Sequence, residues 1–531
     1  MTAVDVAARA RAWLAAEPDG DIRDELQALI DGPEQALAER FTGRLMFGTA
    51  GLRAAVGAGP MRMNRLVVRQ AAAGLAQYLL DTDTAAPERG VVIGYDARRK
   101  SDVFASDTAR VMAAYGIRSM LFDQKVPTPV LAWSITELDA AAGVVVTASH
   151  NPPADNGYKV YLGDGAQIVP PHDSGISERI EAVDPTAVPI ADEGHALIRS
   201  VGDELVAAYV AAIPAVRQRP DVAGVPVAYT AMHGVGGDVV LRAFAAAHLP
   251  EPHVVAAQFE PDGTFPTVSF PNPEEPGAMD LLLEVAREVD AHVAIANDPD
   301  ADRLGAAIPQ PDGSWRRLGG DEIGWLFADY LLSNTSGDDR FVVTTLVSSA
   351  LLRKMAEAHK VRSTETFTGF KWIARAVLDH PEWQFVMGYE QALGYLVASR
   401  PLDKDGISAA VLFAEIAAAA HSDGRTLQGW LDDIAARYGR HRLADASIRM
   451  TPADAAAKVR ALRADPPAVI GGRKVLGTEE YPEADLLRFD LEGGVRVQIR
   501  PSGTEPKVKL YGEAVDEDPA PFVQALGALL A

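Results

Sequence analysis

The sequence predicts an α/β protein of several domains, and three observations support this prediction. Short apolar runs alternate with alanine- and leucine-rich segments along most of the chain, a pattern typical of parallel sheets covered by helices. The length of 531 residues corresponds to about three or four domains of ordinary size. The C-terminal part instead shows short strands separated by turn residues, which indicates an α+β domain.

The strands of the α/β part are predicted at apolar runs that end in polar, proline- or glycine-containing loops. Residues 106–115 and 280–289 are predicted to form helices between such strands. In open α/β sheets, ligand sites collect at the carboxyl ends of the strands, so these loops are where functional residues are expected. The predicted strands are 91–95, 142–146, 225–229, 292–296 and 341–345.

The C-terminal strands and the domain boundaries follow from turn and linker residues. Strands are predicted at 486–491 and 495–500, on either side of Glu492-Gly493-Gly494, and at 507–511. Pro-rich or polar stretches at 184–203, 309–320 and 435–443 are candidate linkers. These breaks divide the chain into four predicted domains, which are 1–200, 201–315, 316–437 and 438–531.

Composition excludes several classes of function. Lys and Arg number 50 against 73 Asp and Glu, so the formal net charge is −23, which argues against nucleic-acid binding and against a polybasic membrane anchor. The chain has no cysteine, so it has no disulfide, thiolate metal site or cysteine nucleophile. Residues 1–40 are predicted to form amphipathic helix without the apolar core of an export signal, and a cytoplasmic location is expected.

The first candidate site follows the predicted strand 142–146. Ser149 stands beside His150 and is followed by two prolines, and a serine held stiffly at a strand end can act as a nucleophile or phosphate carrier. The alternative is a capped turn. Lys159 lies on a predicted hairpin over 156–165 and could approach an anion at this loop; the alternative is a surface lysine on an edge strand.

The second candidate site is a set of three aspartates directly after the predicted strand 292–296. Asp298, Asp300 and Asp302 point to one side if the segment is extended, and three carboxylates this close require a cation. Hard oxygen ligands in a chain without cysteine favour Mg²⁺ over zinc. The alternatives are a solvated acidic loop or a calcium site, although the loop lacks the later Gly and bidentate Glu of an EF-hand.

Two further segments carry polar groups suited to a sugar phosphate. Glu390 and Gln391 lie among glycines and could bind vicinal hydroxyls; the alternative is an ordinary helix start. Lys371 offers a cation between aromatic residues, and Arg53 adds a guanidinium on a glycine-containing loop. The segment 500–507 joins two predicted strands and suits a phosphate dianion, unless it is a simple polar hairpin loop. Its candidate donors are Arg500, Ser502, Gly503, Thr504 and Lys507.

Taken together and in this order, the four segments resemble the α-D-phosphohexomutase superfamily. The resemblance spans roughly residues 40 to 515, and segments 47–53, 368–373 and 403–406 look like its longer branch, which includes phosphoglucomutases, phosphomannomutases and phosphopentomutases. It implies three α/β domains with mixed sheets plus a smaller C-terminal α+β domain around a central cleft. Each domain would supply one loop, in the order phosphoserine, metal, sugar and phosphate.

The resemblance also implies a role for each candidate residue. Ser149 would carry a phosphoryl group and, through its oxygen, bind Mg²⁺ together with Asp298, Asp300 and Asp302. Arg500, Ser502, Gly503, Thr504 and Lys507 would grip the far phosphate of the substrate. Lys371, Glu390 and Gln391 would contact the sugar, although related loops often carry a second acid and a Ser where this chain has Gln391 and Ala392. His150, Lys159, Arg53 and Arg303 would lie beside the transferred group, with His150 or Lys159 helping proton transfer.

The implied reaction interconverts hexose 1-phosphate and hexose 6-phosphate through a phosphoserine enzyme and a hexose 1,6-bisphosphate. The same-class alternative is a phosphopentomutase acting on ribose or deoxyribose phosphates. A metal-dependent sugar phosphatase and an inactive phosphosugar-binding protein are the alternatives from other classes. The expected partners are small sugar phosphates, with no nucleic acid and no membrane, and the expected state is a monomer or a weak homodimer.

Overall fold

The computed structural model describes residues 3–48, 51–501 and 507–530. The chain forms two compact units, and each is discontinuous in sequence. Unit 1 comprises Met1–Leu318 and Leu393–Asp423, and unit 2 comprises Gly319–Ala392 and Gly424–Ala531. Among the described residues, no helix has both the length and the apolar character needed to cross a membrane.

The N-terminal segment forms three helices rather than one. They are Ala3–Ala16, Gly20–Asp31 and Glu34–Phe41. Pro18 and the pair Gly32-Pro33 fall at the two breaks, where a proline ends a helix because it lacks the amide hydrogen and clashes with the preceding turn. The helices pack on the first sheet region through buried apolar side chains, including Trp13 and Phe41.

The first sheet of unit 1 has six strands and is mixed. Its order is Leu52–Ala55, Asp155–Leu162, Ala142–Val146, Val91–Tyr95, Ser119–Phe122 and Ile198–Val201. The first two pairings are antiparallel and the others are parallel. Strand Asp155–Leu162 therefore lies between two others, so the alternative of Lys159 as a surface lysine on an edge strand is wrong. The helices of this region are Arg65–Thr82, Ala86–Arg89, Ser101–Ala114, Thr128–Glu137 and His172–Ala182.

The second sheet of unit 1 is also mixed. Its strand order is Trp315–Arg317, Leu304–Pro309, Val293–Asn297, Val227–Thr230 and His253–Val254. The strand predicted at 225–229 begins after Pro226 because proline cannot donate to a sheet. The flanking helices are Asp203–Ala212, Gly237–Ala246 and Asp280–Glu288, with 3₁₀ turns at Ile213–Val216 and Ala256–Gln258.

A late segment of the chain completes unit 1. It contains the short strand Gly394–Leu396 and the helix Gly406–Ser422, in which every residue from Gly406 to Ala420 is buried. The carboxylate of Glu415 in this helix accepts hydrogen bonds from the Arg217 guanidinium at 2.5 Å and the Gln218 amide at 2.6 Å. The helix is thus anchored by a buried ion pair as well as by apolar packing.

Unit 2 contains a parallel α/β region and the C-terminal domain. In the α/β region, Arg340–Thr345 pairs in parallel with Arg362–Thr366 on one side and Gln384–Glu390 on the other. Glu390 ends a strand, so the alternative of an ordinary helix start at 388–395 is wrong. The helices are Gly320–Asn334, Leu351–Ala358, Phe370–Leu378 and Leu427–Tyr438.

The C-terminal domain is an antiparallel sheet with two helices, as the turn residues predicted. Gly493 and Gly494 have φ of 84° and 77°. This left-handed conformation is typical of a tight turn between two antiparallel strands. The strands lie in the order His441–Arg449, Lys507–Val515, Val495–Pro501, Leu486–Leu491, Arg473–Tyr481 and Val469–Ile470. Helices Pro452–Ala464 and Ala520–Ala528 and a 3₁₀ turn at Pro482–Ala484 complete it. The predicted fold class, three α/β domains with mixed sheets and a smaller C-terminal α+β domain, is confirmed.

Candidate active site

Ser149 lies in the loop that follows strand Ala142–Val146. Its backbone has φ of 51°, a left-handed conformation that costs a non-glycine residue free energy and persists only where the surroundings enforce it. The Ser149 amide donates to the Thr147 hydroxyl at 2.8 Å. The Ser149 hydroxyl, on a side chain that is almost fully buried, donates to a carboxylate oxygen of Asp298 at 2.7 Å. The loop therefore aims the hydroxyl at the first of the three aspartates.

The three aspartates form a buried cluster at the end of strand Val293–Asn297. One carboxylate oxygen from each of Asp298, Asp300 and Asp302 lies within 4.8 Å of the others. All three side chains are buried, so the alternative of a solvated acidic loop is wrong. One oxygen of Asp300 and one of Asp302 are buried without a hydrogen-bond donor, which is costly unless a cation binds there. This donor set fits a metal ion that prefers oxygen ligands.

Lys159 supplies positive charge to the aspartate cluster. Its ammonium lies 2.7 Å from Asp300 and 2.9 Å from Asp302. Burial alone would lower the pKa of Lys159, but the charges of Asp300 and Asp302 outweigh burial and raise that pKa above its usual value. Burial, reinforced by the neighbouring charges of Asp300 and Asp302, raises the pKa of Asp298 well above its usual range. Because its own pKa is raised, Lys159 stays charged at neutral pH.

The other predicted catalytic side chains of unit 1 lie around the same loop. His150 Nδ1 is 3.2 Å from the Ser149 hydroxyl. Burial, followed by the positive charges of Arg303 and Arg53, lowers the pKa of His150 well below its usual value, so the imidazole is neutral at pH 7. Arg53 donates to the side-chain oxygen of Asn151 at 3.0 Å, and Arg303 Nε lies 3.7 Å from Asp302.

The predicted sugar-binding residues lie in unit 2. Glu390 is buried at the end of strand Gln384–Glu390, and Lys371 stands in the first turn of helix Phe370–Leu378. The carboxamide oxygen of Gln391 accepts a hydrogen bond from the Ser348 hydroxyl at 3.0 Å. Gln391, which was expected to contact a sugar, therefore also holds the turn after strand Arg340–Thr345 through its carboxamide oxygen.

The predicted phosphate loop is described only at its two ends. Arg500 lies near the end of strand Val495–Pro501, and Lys507 begins strand Lys507–Val515. These strands pair antiparallel, with Arg500 opposite Lys509. Ser502, Gly503 and Thr504 lie outside the described residues.

Two residues that the sequence analysis did not single out also contact the aspartate cluster. Lys404 is buried, and its ammonium lies 3.4 Å from both Asp302 and Asp403. Thr128, the first residue of helix Thr128–Glu137, donates its hydroxyl to Asp300 at 2.7 Å. The segment 403–406 carried part of the resemblance, but without a role for its lysine. The only signal for Thr128 was its place after Pro127, which is typical of a helix start.

Comparison with known proteins gives the same assignment over all four domains. Residues 44–187, 207–313 and 319–438 match the family descriptions Phosphoglucomutase/phosphomannomutase, alpha/beta/alpha domains I, II and III. Residues 446–521 match the C-terminal domain of the same family. The four matches follow one another along the chain in the order of the family's domains.

Individual proteins are similar over nearly the whole chain. A protein named probable phosphomannomutase from Haemophilus influenzae is 45% identical over 86% of this chain and 94% of its own length. Human phosphopentomutase is 34% identical over 94% of this chain and 90% of its own length.

A solved structure shares the fold at lower sequence identity. A phosphoglucomutase/phosphomannomutase family protein from Burkholderia thailandensis has a TM-score of 0.70 at 21% identity and covers 91% of this chain and 96% of its own. From the domain matches and the near-full-length relatives together, we conclude that the chain belongs to the phosphoglucomutase/phosphomannomutase family, the phosphomutase isomerases of the α-D-phosphohexomutase superfamily.

Proposed function

We propose that this enzyme interconverts hexose 1-phosphate and hexose 6-phosphate, with glucose or mannose as the sugar, and that Ser149 carries the phosphoryl group. The observation that carries the proposal is the 2.7 Å hydrogen bond between the Ser149 hydroxyl and Asp298. It places an uncharged nucleophile against a buried carboxylate cluster that fits a metal ion. A serine in such a position can accept a phosphoryl group and pass it on.

In the first half-reaction, phospho-Ser149 gives its phosphoryl group to the free hydroxyl of the bound sugar phosphate. The bond between phosphorus and the serine oxygen breaks, and a bond forms between phosphorus and the sugar oxygen. The sugar hydroxyl loses a proton and the released serine oxygen gains one; His150, whose Nδ1 lies 3.2 Å from the serine oxygen, is the group placed to exchange a proton with that oxygen. The product is a hexose 1,6-bisphosphate and an unmodified Ser149.

In the second half-reaction, the bisphosphate presents its other phosphate to the Ser149 hydroxyl. The serine oxygen attacks that phosphorus and passes its proton to neutral His150. The bond between phosphorus and the sugar oxygen breaks, and the released sugar oxygen takes up a proton. The net change moves the phosphate between positions 1 and 6 and restores phospho-Ser149. The charge on the moving group is spread over its oxygens. The positive charges of Lys159 and Arg303, which lie beside the aspartate cluster, would stabilise that group.

Mg²⁺ is the proposed metal, held by Asp298, Asp300 and Asp302 with an oxygen at Ser149. When bound, it would offset negative charge on the phosphoryl oxygens as a Lewis acid. Hard carboxylate ligands without nitrogen or sulfur support this choice. By resemblance, Glu390, Lys371 and Gln391 would contact the sugar, and Arg500, Ser502, Gly503, Thr504 and Lys507 the distal phosphate.

The choice between a hexose and a pentose is part of the proposal. The relative with 45% identity bears a phosphomannomutase name, and one with 34% identity bears a phosphopentomutase name. The values of kcat/KM for glucose 1-phosphate, mannose 1-phosphate and ribose 1-phosphate, each with its bisphosphate supplied, would rank the substrates. Ribose 1-phosphate as the best substrate would make the enzyme a phosphopentomutase, and stoichiometric release of inorganic phosphate would make it a phosphatase.

The carrier role is tested with Ser149→Ala and a matched serine control. We expect Ser149→Ala to lose isomerisation and to take up no phosphoryl mass from the bisphosphate, while its Tm stays close to that of the wild type. The control is Ser174→Ala, since Ser174 is exposed in the first turn of helix His172–Ala182 and its hydroxyl donates to the adjacent Pro171 carbonyl at 2.9 Å. Unchanged turnover by Ser149→Ala would refute the carrier role.

The remaining expectations stay predictions. These are the cytoplasmic location, the monomer or weak homodimer, the central cleft and the four domain boundaries. Gel filtration combined with light scattering would test the oligomeric state directly.

A further inference from the structure

Arg98 is a buried arginine that the resemblance assigned no role. It follows strand Val91–Tyr95 by three residues, and its side chain is 1% exposed. Its Nε lies 3.4 Å from the carboxylate of Asp96, which is its one ion-pair partner in the described part of the chain. A guanidinium buried to this degree must satisfy its donors within the protein.

The two terminal nitrogens of Arg98 donate all of their hydrogen bonds among the described residues to the phosphoserine loop, while Nε makes only the 3.4 Å contact with Asp96. Its Nη2 donates to the backbone oxygen of Ser149 at 2.6 Å and to that of Asn151 at 2.5 Å. Its Nη1 donates to the backbone oxygens of Pro152 at 2.8 Å and Asp155 at 3.0 Å. One planar group thus holds four carbonyls within a stretch of seven residues, from Ser149 to Asp155.

A loop from the second sheet region closes over the other side of Arg98. The ring of Phe265 lies 4.9 Å from the guanidinium carbon. Gly263 packs so tightly that a Cβ there would lie 2.4 Å from the Ala97 oxygen and 2.7 Å from the Arg98 Cα. This packing excludes water from the guanidinium, so the carbonyl bonds face no competition from solvent.

Ser149 needs such support because its backbone is left-handed, with φ of 51°. Its amide is held by Thr147 and its hydroxyl by Asp298, at 2.8 Å and 2.7 Å. Arg98 holds the third polar group, the carbonyl. Without that bond, the peptide after Ser149 can turn toward an ordinary conformation, and the hydroxyl then points away from the aspartates.

We propose that Arg98 is the positioning residue of the phosphoserine loop: by binding four carbonyls, it keeps Ser149 left-handed and its hydroxyl directed at the aspartate cluster. Arg98 does not touch the reacting atoms and acts through the loop. The inference rests on the proposed carrier role of Ser149.

The test compares Arg98→Met, Arg98→Lys and the control Arg99→Met. Arg99 is the adjacent arginine, its side chain is 57% exposed, and it pairs with Asp21 rather than with the loop. Each protein is first dephosphorylated, and the rate of Ser149 phosphorylation by glucose 1,6-bisphosphate is followed by intact mass. The KM for the sugar phosphate and the Tm are measured on the same samples.

We expect Arg98→Met to phosphorylate Ser149 at least roughly 100-fold more slowly, since misplacement by about 1 Å has an effect of this size. The KM for the sugar phosphate should change by less than about threefold, because its binding groups are elsewhere. Arg98→Lys keeps a cation but loses the planar fork, so it should recover part of the rate. Arg99→Met should behave as the wild type.

The outcomes separate this inference from the carrier role itself. If the wild type never gains a phosphoryl group on Ser149, the proposed function fails. If the wild type is phosphorylated and a folded Arg98→Met reacts at the same rate, the Arg98 inference is wrong. If Arg98→Met does not fold, Arg98→Lys decides: a wild-type rate for it overturns the inference, and a slowed rate at unchanged KM and Tm supports it.

Discussion

Removing the charge of Lys159 should destabilise the enzyme most when no divalent metal is present. The Lys159 ammonium is buried between Asp300 and Asp302, at 2.7 and 2.9 Å. In Lys159→Met, the aliphatic part of the side chain is kept, but the buried carboxylates of Asp300 and Asp302 lose their nearest cation. Lys404, 3.4 Å from Asp302, remains as partial compensation.

The size of the effect can be worked from these distances. At an effective dielectric constant of about 20, each contact has a gross attraction of roughly 6 kcal/mol. Part of this is offset because the buried ammonium no longer has to be desolvated. Breaking a buried ion pair by removing one partner typically costs about 3–5 kcal/mol. At about 2 °C per kcal/mol for a large protein, the Tm should fall by roughly 6–10 °C.

The assay is thermal unfolding in EDTA and again in excess Mg²⁺. In EDTA, Lys159→Met should melt well below the wild type. In Mg²⁺ the difference should shrink, because a bound cation stabilises the native state and compensates the same carboxylates. The control is Lys125→Met, which removes an exposed lysine of the same domain. The reasoning would be refuted if Lys159→Met had the same Tm as the wild type in EDTA, or if the control Lys125→Met lost as much Tm as Lys159→Met.

Three further predictions concern the metal, a glycine that packs against the backbone of the aspartate loop, and a buried acid in unit 2. EDTA should abolish isomerisation and Mg²⁺ should restore it, measured in a coupled assay; full activity after exhaustive chelation would remove the role of the aspartates. Gly406→Ala should weaken Mg²⁺ binding, measured by calorimetry, since a Cβ there would lie 2.3 Å from the Arg303 oxygen and 2.8 Å from the Ala301 oxygen; an unchanged affinity would contradict this. Burial raises the pKa of Asp321 from 3.8 to about 7, so the native state prefers the protonated acid, and stability is lost as pH rises from about 4 to 7. The stability advantage of Asp321→Asn over the wild type should therefore grow between pH 5 and pH 8, by up to about 4 kcal/mol in unfolding free energy, and this growth is measured as a rising difference in Tm. A difference in Tm that does not change with pH would contradict the raised pKa of Asp321.

Local sequence predicted individual strands better than their arrangement. The strands at 91–95, 142–146 and 486–491 are observed with the predicted bounds, because apolar runs bounded by turn residues specify a strand locally. The position of Asp155–Leu162 between two other strands was not predicted. Strand order depends on packing between distant segments, which no local pattern records.

The same dependence on packing between distant segments explains which site residues were predicted and which were missed. The alternation Asp298, Asp300, Asp302 places three carboxylates together within one short loop, so spacing alone indicated a cluster. The approach of Ser149 to Asp298 joins positions 149 residues apart and was suggested by the resemblance. Arg98 and Lys404 look like ordinary surface residues in sequence, and only the folded chain shows that both are buried.

The buried helix Gly406–Ser422 has a consequence for synthesis on the ribosome. The larger segment of unit 1 precedes unit 2 along the chain, yet unit 1 lacks this helix until Asp423 has emerged, 105 residues after Leu318. At about 5–20 residues per second, the nascent first half waits roughly 5–20 s. During that interval the apolar groove that later receives the helix, and the Arg217 that later meets Glu415, are uncovered. Nascent chains stalled between these two points should therefore recruit holding chaperones, and chains released beyond Asp423 should not.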